Sequence, residues 1–169
     1  MRATIYLSLG ELTQAENDAQ KVNELSPNSA LSYRTFGQNF YLQGRYSEAK
    51  EMFIHILNLQ LDQALDMIFL GQTYYRLGEY EAVIECLKPV SSKNPTAIMA
   101  HYYLGRSFEK LGNQKRADET FKVMRRFGEG LEELKIASGC WPKDYSEIQL
   151  LQEDILNIEQ RLNMGFRVF

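Results

Sequence analysis

Leu70–Leu87 reads LGQTYYRLGEYEAVIECL, and its two glycines, Gly71 and Gly78, stand seven residues apart in a stretch otherwise patterned as helix. Glycine inside a helix is about 0.5–1 kcal/mol less favourable than alanine, so both positions ask for a structural reason. The reason lies outside the stretch. Gly37, Gly71 and Gly105 are spaced by 34 residues, and Gly44, Gly78 and Gly112 keep the same interval.

Around the first glycine of each pair the chain reads YRTFGQNFYLQGRYSEAKEMF from Tyr33, MIFLGQTYYRLGEYEAVIECL from Met67 and HYYLGRSFEKLGNQKRADETF from His101. The shared order is Leu or Phe, then Gly, an aromatic three residues on, a small residue, and a bulky apolar one four residues later. Such a unit is two antiparallel helices. Its first glycine lets the second helix approach the first, and its second ends helix one in a left-handed conformation that glycine adopts without strain. Ala49, Val83 and Ala117 keep the helix contact thin, while Phe53, Leu87 and Phe121 are expected to fill the layer between successive units. No unit buries its apolar face alone, so neighbours must stack.

This 34-residue pattern resembles the tetratricopeptide repeat (TPR) family. The resemblance covers Met1 to about Leu131 and implies an all-α fold: an α-solenoid of antiparallel helix hairpins in a right-handed superhelix, with a C-terminal capping helix. Full repeats occupy 30–63, 64–97 and 98–131 after a partial repeat at 1–29. In that partial unit Gly10 ends the first helix, Ala3 replaces the first glycine, Ala15 takes the small position and Pro27 the turn, as Pro95 does later. Truncation of a longer array and a short native cap both fit this start, and either leaves the N-terminal face incompletely covered.

Residues 132–169 read as a degenerate fifth helix, a loop and the capping helix. Gly139 keeps the register, but Pro142 stands where the aromatic belongs and blocks continuation. Ser146 and Gln149 then form a capping-box pattern before an apolar stripe of Ile148, Leu151, Ile155, Ile158 and Leu162. The stripe either covers the last repeat or forms a dimer seam.

A hydrophobic fraction of 44% with 24% charged residues suits a soluble protein, and a net charge of −3 gives no field to attract nucleic acid or an anionic membrane. No apolar run is long enough to insert into a membrane. Cys86 and Cys140 have no partner at metal-ligand spacing and read as reduced thiols in a cytoplasmic protein. His55 and His101 lie on different repeats without a companion carboxylate, and His101 takes a core aromatic position. No phosphate-cradling loop or nucleophile elbow occurs. The expectation is no enzyme, no cofactor and no metal.

What remains is a surface. The resemblance implies a concave groove lined by positions 2, 5, 6, 9, 12 and 13 of each repeat. In the second repeat these include Leu31, Arg34, Thr35, Gln38, Tyr41 and Leu42. The third supplies Leu65, Ile68, Phe69, Gln72, Tyr75 and Arg76, and the fourth Met99, Tyr102, Tyr103, Arg106, Glu109 and Lys110. This lining carries +3 in a chain of −3. Its arginines and aromatics suit a protein or peptide segment with apolar or aromatic anchors and acidic residues. The bland reading is that these aromatics pack between helices and the cations merely solvate the surface. The carboxylate clamp of chaperone-tail receptors is not expected, because Phe69, Met99 and Tyr103 replace its asparagine and two of its basic residues.

The expected function is therefore a non-catalytic protein–protein interaction module, an adaptor or scaffold holding a partner's segment in its groove. A small TPR secretion-type chaperone and a docking or regulatory fragment of a larger enzyme are the alternatives. A homodimer through the N-terminal unit or the C-terminal helix is also open.

Overall fold

The computed structural model describes residues 2–59, 64–127, 153–154, 156–158 and 160–162. The expected fifth-register helix with Cys140, Trp141 and Pro142, and the capping box at Ser146, lie outside them. Eight helices run in order among the described residues: α1 (Arg2–Ser8), α2 (Leu12–Leu25), α3 (Ala30–Leu42), α4 (Tyr46–Asn58), α5 (Ala64–Leu77), α6 (Tyr80–Lys93), α7 (Ile98–Lys110) and α8 (Gln114–Phe127). The described residues of 153–162 are also helical, and no strand occurs among the described residues. Each helix packs on its neighbours in sequence, and the first helices α3, α5 and α7 also touch in succession. The molecule is a stack of hairpins, an α-solenoid.

Gly78 shows why the hairpin turns where it does. Its φ is +78°, and Gly10, Gly44 and Gly112 match it at +75°, +74° and +74°. In that conformation the Gly78 N–H donates to Tyr75 O at 3.1 Å and the Glu79 N–H to Tyr74 O at 3.0 Å, which together satisfy carbonyls that the helix end would leave open. The same pair of bonds recurs after Gly10, Gly44 and Gly112.

Gly71 serves closeness instead. A Cβ there would lie 2.5 Å from Leu87 Cγ, and one on Gly37 2.8 Å from the Phe53 ring; Gly105 faces Phe121 in the same way. In each case the facing residue is sixteen further along, in the second helix of the same unit. Phe53, Leu87 and Phe121 were expected between units. They fill the notch within their own unit as well, and Phe53 reaches the next repeat by stacking on Phe69 at 5.6 Å. In the partial repeat the notch holds Ala3, and the residue sixteen on is Ala19; both are buried. A methyl on one side is matched by a smaller side chain on the other.

Ala15, Ala49, Val83 and Ala117 are fully buried at the small position. Two apolar clusters carry the core, one through the second and third repeats around Phe53, Ile56 and Phe69, the other through the third and fourth around Leu87, Leu104 and Phe121. The partial repeat leaves Ile5, Leu9 and Leu25 exposed.

Candidate functional site

The first helices present positions 2, 9 and 13 along one stripe, because steps of seven and four return a helix to nearly the same side. Position 2 lies eleven residues from position 13, about 16 Å along the axis. At the position-2 edge Leu31 and Leu65 are 42% and 48% exposed, and Met99 is half-buried against the core. At the position-13 edge Leu42 is half-buried while Arg76 and Lys110 are exposed. Two rims are thereby set, one apolar and one mixed with positive charge.

The floor between them is closed by the protein's own side chains. Arg76 Nε donates to the Tyr41 hydroxyl at 3.0 Å, and the Tyr41 and Tyr103 hydroxyls are hydrogen-bonded to each other. Tyr41, Arg76 and Tyr103 come from the second, third and fourth repeats, so one cluster bridges three units. Tyr103 also meets Tyr75 at 5.4 Å and Tyr102 at 5.1 Å, edge to face. Burial pushes the Tyr41, Tyr102 and Tyr103 phenols well above their usual range. They stay neutral at all physiological pH values.

The thirteen residues expected to touch a partner divide accordingly. Tyr41, Phe69, Gln72, Tyr102 and Tyr103 are buried, with Gln72 and Phe69 at 1% and 2% exposure, so in this conformation they form the floor rather than a contact surface. Packing accounts for the burial: aromatic area is better removed from water by the next repeat than left exposed. Gln38, Ile68, Tyr75, Met99 and Arg106 are half-buried, as is Arg34.

Lining cations also have carboxylate partners inside the chain. Arg34 makes a two-pronged bond to Asp66, Nε to Oδ1 and Nη2 to Oδ2, each 2.7 Å, and Asp66 is fully buried. Arg106 meets Glu109 at 2.5 Å and Asp154 at 3.2 Å. Two of the four lining cations are therefore matched within the chain. Asp66 went unnoticed in the sequence because it sits at position 3, outside the groove set, yet it falls 32 residues after Arg34, one repeat less two.

A different feature lies between the third and fourth repeats. An open pocket of about 350 Å³ is lined by Ser91, Ser92, Pro95, His101, Leu104, Glu119, Thr120 and Val123. His101 is buried, hydrogen-bonds the Pro95 carbonyl, and has its pKa lowered by burial. Cys86 donates to Met67 O at 3.3 Å, and burial pushes its thiol up to about 12, which suppresses thiolate chemistry. Among the described residues no group of three His, Cys, Asp or Glu could hold a metal ion, and no helix is long and apolar enough to cross a membrane.

Two segments match tetratricopeptide-repeat family models, residues 1–29 and 99–126. No curated protein matches the chain. Solved structures share its fold: MamA superposes with a TM-score of 0.66 at 19% identity over 90% of this chain and 91% of that one. YrrB, described as a TPR protein with an unusual peptide-binding site, gives 0.68 at 20% identity over 95% and 82%. A MamA RS-1 ArsTM double mutant gives 0.69 at 14% identity over 94% and 91%. The recurring notch and turn glycines, the stacked hairpins and the matched segments near both ends of the array make this chain a tetratricopeptide-repeat protein.

Proposed function

We propose that the chain is a non-catalytic adaptor that holds an extended or helical segment of another protein across its first helices, touching the two rims rather than the floor. The observation that carries this reading is the exposure of Leu31 and Leu65, large apolar side chains at the same position of successive repeats. A partner laid along the stack would cover both with apolar anchors and set acidic residues near Arg76 and Lys110 at the opposite rim. YrrB, with the same fold, has a peptide-binding site, which is in keeping with such use of the scaffold.

The test is a pull-down comparing the native chain with a Leu31→Glu, Leu65→Glu, Lys110→Glu variant. All three side chains are exposed, so the variant is expected to keep its helical content by circular dichroism. Loss of captured proteins at unchanged helicity supports the reading. Equal capture by both chains rejects it.

A further inference from the structure

The described residues of 153–162 pack on the end of the fourth repeat, and one contact that places them repeats a pairing seen once inside the array. Arg34, position 5 of the second repeat, is held by Asp66, position 3 of the third. Tyr102, position 5 of the fourth repeat, donates to Asp154 Oδ2 at 2.5 Å. Asp154 thus plays position 3 of the next unit. Counted from it, Ile158 falls at position 7 and Leu162 at position 11. Position 7 holds the buried Leu70 and Leu104, position 11 the buried Phe108. Ile158 and Leu162 are buried in the same cluster, at 2% and 6% exposure. Arg161 closes the contact with Glu109 at 2.7 Å and Asp118 at 3.4 Å, over the Phe121 ring.

The 34-residue count puts position 3 of a fifth unit at Leu134, twenty residues earlier, so this occupant is out of register with the array. The same count from Asp154 puts Glu159 and Phe166 at the two glycine positions, where neither the close approach nor the left-handed turn of an authentic unit is provided for. The internal helices α5 and α7 are each clasped between two second helices. The described residues of 153–162 have α7 and α8 on one side, and among them Glu153, Leu156, Asn157 and Gln160 are exposed.

We infer that the end of the fourth repeat is an acceptor for an amphipathic helix with a carboxylate at i, apolar residues at i+4 and i+8 and a cation at i+7, and that residues 153–162 fill it in cis as a detachable occupant. Recognition is by Tyr102 and Arg106 for the carboxylate, Glu109 and Asp118 for the cation, and the cluster around Phe121 for the apolar pair. A partner helix of the same chemistry displaces the cis segment. Tethering keeps the segment at an effective concentration of the order of millimolar, so an external helix competes poorly until the cis contact is weakened. This surface faces the end of the stack, and its failure would leave the rim reading untouched.

The test adds a fluorescent peptide of residues 150–165 to the full chain, native or carrying Ile158→Glu or Arg161→Glu, and reads affinity by anisotropy. The peptide is expected to bind both variants at least tenfold more tightly than the native chain, and Arg106→Glu added to Arg161→Glu should abolish the gain. Arg161 is 42% exposed at its side chain, so that variant keeps the test valid if Ile158→Glu unfolds. Equal affinity for native and Arg161→Glu chains overturns the inference. So does absence of binding to a folded variant, or equal binding of a scrambled peptide.

Discussion

A missing methyl group at Gly71 sets how near α6 comes to α5. Alanine there would gain up to about 1 kcal/mol of helix propensity, but its Cβ would press on the branch point of Leu87, and overpacking of this kind destabilises by about 1–3 kcal/mol. The packing term wins. Gly71→Ala should therefore lower stability in the native background and raise it in a Leu87→Ala background, a change of sign that a denaturant-unfolding double-mutant cycle reads directly. The Ala3 and Ala19 pair is the chain's own version of that double substitution. These glycines were legible because a notch facing a bulky Leu or Phe leaves no room for a Cβ and a left-handed turn favours glycine, so the requirement survives translation into sequence. His101 is the other residue whose setting has a measurable consequence. Burial lowers its folded pKa below the ordinary 6.5, so the folded state prefers the neutral ring. Stability from this term is complete above the unfolded value and is lost as pH falls through it toward the depressed folded value. The melting temperature should drop between about pH 7 and pH 5, and His101→Gln should flatten that part of the profile.

Between helices, the clasp of Arg34 on Asp66 is the contact with the largest consequence. Asp66 is fully buried, and removing the partner of a buried charge destabilises by about 3–5 kcal/mol, whereas an exposed pair such as Arg45 with Glu48 contributes little. Arg34→Ala should lower stability by about 3 kcal/mol in chemical denaturation, and Arg34→Met with Asp66→Leu should recover most of the loss. This element-scale pairing was not legible. Periodicity tells which residues share a helix face, and the groove positions implied by the family resemblance put Arg34 among the cations for a partner's carboxylate. Which residue of the next helix faces it depends on how two hairpins are rotated against each other, and no spacing within one unit encodes that. Burial of Phe69, Gln72 and Tyr103 was hidden for the same reason.

Across the whole molecule, three repeats in register made the stacked hairpins legible from glycine and apolar spacing, with the solenoid implied by the family resemblance, because each hairpin meets its neighbours through the same surfaces. The far end was less readable. Beyond α8 the 34-residue count points to Leu134, yet the described contacts at the end of the stack come from Asp154, Ile158, Arg161 and Leu162. A helix that fills a slot out of register leaves no period to find. The first-helix face likewise carries Leu31, Leu65, Arg76 and Lys110 exposed at two rims over a floor of tyrosines and arginine. Contact with a partner is accordingly predicted to fail on Leu31→Glu with Leu65→Glu, measured by capture, while Tyr103→Phe, which alters only the floor, should leave capture intact.

All of this depends on equivalent 34-residue units coupled to their nearest neighbours. The most direct test is deletion of residues 64–97, which joins the second repeat to the fourth in register, beside a control deletion of 64–90, which does not. Far-UV circular dichroism with urea unfolding should show the first chain helical and cooperative at a lower midpoint, and the control without a cooperative transition. If both chains fold alike, or both lose their transition, the units are not interchangeable and the account fails.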